Sequence, residues 1–441
     1  MSNNKNYHVA IIGGGYTGMA AAVTLAAANV PVTVFESAKQ LGGRARGVWY
    51  NDVQLDNGQH ILLGCYHHTL QLIEQVGGNI EHDFLHLPLQ LTLHNRFELK
   101  APRLPAPFHL LAGLLSAKGL SFGERLRAAR FMLVLGRINF TLPHDISVLK
   151  LLQMHGQGDE LIRLLWEPLC ISALNTPIHI ASAQVLLHVL RDSLNGLRSD
   201  SDMLLPRIDF TALFPERAAE YVKQLKGTVL TACSVEAIIP HGDKIELITR
   251  PTTIASAHTQ LFSHVICAAS PIAAARLFRT VPQLALIAEQ IAAIPHQPIY
   301  TVYLQYPEQV RLPQPMLGLD RCFTQWLFDK GPIAGQHGLI AAVISAQGKH
   351  QNLKHELLAQ KVAQEIGEQL GIRESPLWHQ VIAEKRATFS CETNLPRPAH
   401  TTPLANVLLA GDYTAGDYPA TLEGAVMSGM LCARTIVSTF Q

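Results

Sequence analysis

Two groups of residues near opposite ends of this 441-residue chain have types and spacings suited to chemistry. Near the start, Gly13-x-Gly15-x-x-Gly18 follows the apolar run Val9-Ala10-Ile11-Ile12, and Glu36 comes about 20 residues later. Near the end, Gly411-Asp412 follows another apolar run, and Thr421-Leu422-Glu423 lies shortly beyond. The first pattern is built to hold a dinucleotide. Gly13 lets the chain turn off a strand, Gly15 lets backbone approach a pyrophosphate, and Gly18 lets a helix pack on a sheet. Glu36 can accept hydrogen bonds from ribose hydroxyls, and an acid there disfavours a 2′-phosphate. In the second group, Asp412 can bind a ribityl or phosphate-side hydroxyl.

The elements that must position these groups are legible around them. Val9–Ile12 reads as a strand, Met19–Ala28 as an alanine-rich helix and Val32–Phe35 as a second strand, so the stretch is one βαβ unit. The first helix points free N–H groups and its positive dipole end at the phosphates. Asn406–Ala410 predicts another strand, and a helix follows from about Thr421 to Thr435. That helix start would direct its dipole at a ligand edge. Glu423 is a candidate acid there, or a charge stabilising the helix end.

Composition limits the function classes. Apolar residues make up 48% and charged residues 16%, with formal net charge +1. No basic field points to nucleic acid, and the apolar excess suggests a large internal cavity, a membrane surface, or both. No run of about 20 apolar residues exists to span a bilayer. The seven cysteines, at 65, 170, 233, 267, 322, 391 and 432, are scattered without a CxxC motif. They read as reduced thiols of a cytoplasmic protein. There is no HExxH, and the adjacent His67-His68 pair must diverge, so no metal is expected.

The pass along the chain predicts two interleaved domains. Residues 1–90, 206–278 and 386–441 are assigned to a discontinuous dinucleotide domain. Residues 91–205 and 279–385 are assigned to a substrate domain. A hairpin is expected at Val48–Tyr50 and Val53–Leu55, turning at Asn51-Asp52. Three alternating strands, Thr228–Thr231, Val235–Ile239 and Lys244–Thr249, are expected around the turn at His241–Asp243. His264–Ala269 then predicts a strand and Ile272–Phe278 a helix. Helices are expected to break at Pro168 and Pro177 and to end near Gly196. Around residues 103–140, Lys118, Arg125, Arg127, Arg130 and Arg137 accompany many leucines. This segment reads either as a lid on anionic lipid head groups, peripheral on the inner membrane face, or as buried helices whose arginines snorkel to water.

Leu41-Gly42-Gly43-Arg44-Ala45-Arg46 follows the acid strand, and this GG-R segment resembles the FAD-dependent amine oxidase and phytoene desaturase superfamily. The resemblance implies an α/β fold: a Rossmann-like FAD-binding domain interleaved with an α+β substrate domain of mixed sheet plus helices. It implies that Gly43 and Arg44 add donors near the phosphates. It also implies that Asp56-Asn57-Gly58-Gln59-His60 lines the flavin ring through Gly58, and that the strand at Val235 clamps the adenine. Thr421 and Leu422 would face the flavin N1–C2=O edge. The runs LWEPLCISALNTPIHIASAQVLLHVLRDSLNG, SDMLLPRIDFTALFPERA and LLAGDYTAGDYPATLEGAVMSG are similar to the squalene-associated FAD-dependent desaturases, a family named hydroxysqualene dehydroxylase for its activity. That similarity implies hydride delivery from reduced flavin N5 to the carbon that loses a hydroxyl, on a long-chain isoprenoid, in hopanoid biosynthesis. His60 is the first candidate for the proton donor and Glu423 the second. Alternatives are an oxidative carotenoid-type desaturase, an amine oxidase, and a non-catalytic lipid-carrying flavoprotein. An amine oxidase usually has an aromatic cage and a lysine by the flavin; aromatics are 7% and no such lysine is identifiable.

Overall fold

The structure is a computed structural model that describes residues 7–194, 196–252 and 256–440. The opening run forms the strand Val9–Ile12, and all four side chains are buried. It lies at the centre of a five-stranded parallel sheet. The spatial order is Thr228–Leu230, Val32–Phe35, Val9–Ile12, His264–Cys267 and Val407–Leu409. Both faces of this sheet are covered, which is why its strands read as unbroken apolar runs.

The first helix runs Tyr16–Ala27, three residues earlier at its start than the expected Met19. Nearly all of it is buried, so its sequence is small and apolar on every side rather than amphipathic. It packs against the closing helix Leu422–Ser438. A Cβ added at Gly429 would lie 2.1 Å from the Thr17 carbonyl oxygen. The two backbones touch there, with no room for a side chain.

A seven-stranded mixed sheet carries the other half of the molecule. Its order is Trp378–Phe389, His296–Gln305, Leu339–Ser345, Trp326–Asp329, Met316–Gly318, Gln90–Leu93 and Phe97–Lys100. Pro298 lies where the register shifts between Gln297 and Ile299. A residue without an N–H cannot donate to the ladder, so it occupies the irregularity.

Several expectations need correction. Thr228–Leu230 is not part of the antiparallel strands around His241–Asp243; it pairs in parallel with Val32–Phe35 at the edge of the five-stranded sheet. The antiparallel sheet instead consists of Cys233–His241, Lys244–Pro251 and an unexpected third strand, His258–Phe262. Pro168 does not break its helix. The chain stays helical from Asp159 to Leu174, with a wide π-type turn at Ile162–Trp166 just before the proline. A π-turn relaxes the i→i−4 pattern that proline would obstruct. The helix ends at Asn175, in left-handed conformation, before Pro177. The boundary placed between 205 and 206 falls inside the strand Met203–Pro206, which pairs with Leu62–Leu63 and Phe84–Leu87. The hairpin Gly47–Tyr50/Val53–Asp56 turns at Asn51 and Asp52, both with positive φ.

The basic, leucine-rich segment forms the helices Phe108–Ser116 and Phe122–Arg137. Ser121 and Glu124 make a reciprocal cap at the second start. Leu110, Leu114, Phe131 and Met132 face inward, while Phe108, Phe122, Leu126 and Leu133 are exposed. Among the described residues, no helix is long and apolar enough to cross a membrane.

The Gly429 contact is open to test. Gly429→Val forces the first and last helices apart, and overpacking of this kind costs about 3 kcal/mol. Chemical denaturation should show that loss, with the midpoint falling and the slope unchanged.

Candidate functional site

The carboxyl ends of the parallel strands open onto a cavity of about 460 Å³. In open α/β sheets this is where ligands bind. Ile12, Phe35, Ala268 and Gly411 bring their strand ends to it. Gly13 has φ +109°, and a Cβ there would meet the Ala268 carbonyl at 2.6 Å, so both its conformation and its surroundings require glycine. Gly18 does not line the cavity; it packs on Gly13, where a Cβ would lie 1.9 Å from the Gly13 oxygen. Gly15 is different. The nearest atoms to a Cβ there are on Gly42 and Gly43 at 3.9 Å, so the position is open to the cavity. Gly43, with φ +61°, faces Gly15 across this gap. The two glycines bring backbone to the edge of the cavity at this point.

The polar groups around this gap fit a dinucleotide. The first helix has Gly15 at its N-cap and no side chain capping it, so its first N–H groups remain for a ligand. Glu36 is buried to 9% exposure. Its two oxygens accept from Gly14 N–H and Ala38 N–H, each at 2.7 Å. A carboxylate has lone-pair sites beyond these two. Gly14, which the fingerprint spacing ignores, packs tightly here: a Cβ would meet the Leu41 side chain at 2.5 Å and Glu36 Cβ at 3.0 Å.

The two ends of the chain meet through Arg44 and Asp412. Arg44 Nη2 lies 2.6 Å from Asp412 Oδ1, and its Nη1 donates to the Ala387 carbonyl at 2.6 Å. The guanidinium therefore holds the final strand-to-helix loop as well as facing the cavity. Gly411 lines the cavity too, but what forbids a side chain there is the Tyr413 ring, which a Cβ would meet at 2.4 Å. Val235 lines the opposite wall beside the register shift between Val235 and Ala237. Thr421 caps the closing helix by accepting from Gly424 N–H at 3.1 Å, and Leu422 begins it. Both border the cavity, as does Gly58.

The two candidate acids fare differently from expectation. His60 lines the cavity, and its Nδ1 lies 2.8 Å from the Gly58 carbonyl. A carbonyl accepts, so Nδ1 carries the hydrogen. Burial pushes its pKa below the ordinary value, outweighing the Gly58 bond, and Arg44 adds in the same direction. Burial thus favours the neutral ring, with Nε2 an acceptor. Glu423 does not line the cavity. Its carboxylate is 1% exposed and accepts from His68 N–H, Thr69 N–H and Thr69 Oγ1, with His68 Nδ1 at 2.9 Å. It caps the start of the helix His67–Gln75 and ties that helix to the closing one. His67 turns instead to Asp200, so the adjacent histidines do diverge.

A buried lysine that no motif announces stands nearby. Lys330 sits between Asp56 and Gln59, with Nζ 3.4 Å from Gln59 Oε1. Burial lowers its pKa against the pull of Asp56, whose carboxyl burial pushes up to about 6. It does not line the cavity.

A second cavity of about 180 Å³ adjoins the first. Ile61, Tyr66, Ser172, Ala173, Trp326 and Thr421 line both. Trp326 Nε1 donates to Ser172 Oγ at 2.8 Å, which fixes the dividing wall. Leu110 and Leu114 from the helix Phe108–Ser116, Met132 from Phe122–Arg137, and Leu165 and Trp166 from the π-turn line the second cavity. Sequence spacing carries no signal for these residues; only the tertiary packing of several helices gathers them.

The flavin containing amine oxidoreductase pattern matches residues 16–437. The chain belongs to that family. It is 27% identical to the hydroxysqualene dehydroxylase of Sinorhizobium fredii, over 98% of this chain and 99% of the relative. It is 28% identical to the hydroxysqualene dehydroxylase of Rhodopseudomonas palustris, over 99% of each. A zeta-carotene desaturase of Synechocystis sp. is 23% identical over 98% of this chain and 97% of that protein. Among solved structures, putrescine oxidase bound to putrescine superposes with TM-score 0.71 at 14% identity, covering 98% of this chain and 99% of the other. Cyclohexylamine oxidase from Brevibacterium oxydans gives 0.64 at 16% identity, covering 98% and 99%. These two establish the fold alone. The protein is an FAD-dependent oxidoreductase, and the resemblance to the amine oxidase and desaturase superfamily read from its motifs holds over its whole length.

The gap between Gly15 and Gly43 gives a direct test of cofactor placement. Gly15→Val puts a branched side chain into the gap facing Gly43. Purified variant should carry less than about a tenth of the wild-type flavin absorbance, since losing the close phosphate approach costs more than the 1.4 kcal/mol that a tenfold change in affinity represents. Its far-ultraviolet circular dichroism should stay unchanged.

Proposed function

We propose that this oxidoreductase removes the hydroxyl of hydroxysqualene to give squalene, at the step that supplies squalene for hopanoids. The observation that carries the reading is the apolar cavity joined to the cofactor cavity through a shared wall. Full-length similarity to two hydroxysqualene dehydroxylases supports the substrate class. Bound FAD in its reduced form supplies the hydride. The balanced reaction consumes the alcohol and reduced FAD and yields squalene, water and oxidised FAD.

The chain's own contribution is orientation and exclusion of water. The shared wall at Ile61, Ala173 and Trp326 presents one carbon of a long chain to the cofactor cavity. Leucines and methionines hold the rest. As the C–O bond breaks, positive charge develops on the allylic carbon, and an apolar enclosure keeps water from capturing it. His60, held neutral by burial, contributes no positive charge to oppose that development.

The helices Phe108–Ser116 and Phe122–Arg137 suggest how a water-insoluble substrate arrives. Their inner faces border the apolar cavity, and their outer faces expose Phe108, Phe122 and Leu126 beside Arg127, Arg130 and Arg137. We assign this surface to contact with an anionic membrane leaflet. A second reading, oxidative desaturation of a polyene, suits the same cavity and the carotene desaturase relative.

The direction of electron flow separates the two readings. Photoreduced protein mixed anaerobically with hydroxysqualene should reoxidise its flavin and form one squalene per flavin. Bleaching of the oxidised flavin by phytoene or zeta-carotene, without any reaction of reduced protein with hydroxysqualene, would replace the proposal by the second reading. For the surface, wild-type protein should sediment with anionic phosphatidylglycerol vesicles. Phe108→Ser combined with Phe122→Ser removes two exposed phenyl rings, so the bound fraction should fall at least tenfold. Unchanged sedimentation would remove these helices from membrane contact.

A further inference from the structure

The apolar cavity contains one arrangement of polar groups that neither the family pattern nor the cofactor site uses. Asp192, on the helix Ala183–Leu194, and Tyr418, in the loop before the closing helix, both line it. Tyr418 Oη donates to Asp192 Oδ2 at 2.8 Å. Arg191 Nε donates to the other oxygen, Oδ1, at 2.7 Å. A carboxylate in a cavity lined mostly by Leu, Met, Val and Trp needs a reason. Its side chain is half-buried, and each of its oxygens already has a donor. Mere structural fastening of the loop to the helix could be done by Tyr418 on a backbone carbonyl, with no charge near the cavity.

The position of the pair is as informative as its chemistry. Tyr418 lies three residues before Thr421, which lines both cavities, and its Cβ borders Gly424 in the first turn of the closing helix. The charge of Asp192 is felt within the cavity. The Cys65 thiol, another lining group, is pushed up to about 12, first by burial and then by Asp192. Tyr418 itself is held protonated by burial and by its bond to Asp192.

We propose that Asp192 and Tyr418 form the hydroxyl-binding site of the apolar cavity. The substrate is an isoprenoid alcohol whose O–H inserts into the Tyr418–Asp192 hydrogen bond. Tyr418 Oη–H donates to the substrate oxygen, and the substrate O–H donates to Asp192 Oδ2. One hydrogen bond is exchanged for two, which offsets the desolvation of the alcohol. Arg191 is a positioning residue that holds the carboxylate through Oδ1. The donor bond from Tyr418 also polarises the C–O bond in the direction in which the oxygen departs. The hydrocarbon product lacks the hydroxyl, so the pair recloses behind it and favours release. This assignment rests on the reading of the protein as a dehydroxylase. It goes beyond that reading by naming the groups that tell substrate from product.

Binding to the FAD-loaded, oxidised protein tests it without turnover. Quenching of flavin fluorescence is titrated with hydroxysqualene and with squalene, in wild type, Tyr418→Phe and Asp192→Asn. Wild type should prefer the alcohol by about tenfold or more, the size expected when a site built for a hydroxyl meets an analogue without one. Both variants should lose that preference and keep squalene affinity within about twofold. Tyr418→Phe is nearly isosteric, and unchanged flavin content shows that it folds. A variant that keeps the wild-type preference, or weakens alcohol and hydrocarbon equally, overturns the assignment. Turnover separates the two claims. If reduced wild-type protein dehydroxylates hydroxysqualene but the variants keep the preference, the function stands and this site falls. If wild type prefers the alcohol through these residues yet performs no dehydroxylation, the site stands and the proposed reaction falls.

Discussion

The central strand Val9–Ile12 cannot complete its sheet with local sequence. One neighbour, Val32–Phe35, comes from the same βαβ unit, but the other, His264–Cys267, is some 250 residues away. That strand in turn needs Val407–Leu409 at its free edge. Every parallel pairing pays loop closure before it returns hydrogen bonds and burial. The cofactor cavity lies along the carboxyl ends of these same strands. Its walls are therefore incomplete until the last residues of the chain have docked. The Gly429–Thr17 contact and the Arg44–Asp412 pair are both consequences of this closure, one apolar and one charged.

The same constraint explains how buried charge is handled. Glu36 and Glu423 lie almost out of solvent, and each is satisfied mainly by backbone N–H groups or a hydroxyl rather than by a cation. Backbone donors are rigid and cost no side-chain entropy, which suits joints between elements distant in sequence. Glu423 spans 355 positions to reach His68. Its fixed place at the starts of both helices sets where Thr421 and Leu422 meet the cofactor cavity.

What is legible in the sequence follows from this division. The glycine fingerprint, Glu36 and the GG-R segment are demands of local backbone geometry, so residue type and spacing reveal them. Gly13, Gly15 and Gly43 serve three different local needs, and each is visible as a missing side chain. The strands Val9–Ile12 and Val32–Phe35 follow from their apolar runs alone. The family resemblance offers His60 and a helix-start position offers Glu423 as candidate acids, and neither shows the partners around them. A carboxylate at a helix start looks the same whether it faces a ligand or another helix. The π-turn before Pro168 hides behind the ordinary rule that proline ends helices. Thr228–Leu230 alternates like its neighbours in sequence, and only its parallel register with Val32–Phe35 reveals which sheet it joins. The apolar cavity has no sequence signature, because its lining comes singly from many elements.

That scattering has a physical consequence for specificity. A long hydrocarbon offers the protein nothing to grip except its area, and apolar contacts discriminate poorly between chains that differ by one group. Leu110, Leu114, Met132 and Leu165 can enclose such a chain without selecting it. Met and Leu adapt their shape, so this part of the wall is tolerant. Discrimination has to come from the few polar groups among them and from how rigidly they are held. Here the helix Ala183–Leu194 and the loop at Tyr418 are fastened to each other beside the cavity, while Trp326 and Ser172 fix the wall toward the cofactor. The enclosure is thus soft along the chain and stiff at one end. The Trp326–Ser172 wall borders the cofactor cavity, where a misplacement of about 1 Å costs on the order of a hundredfold in rate.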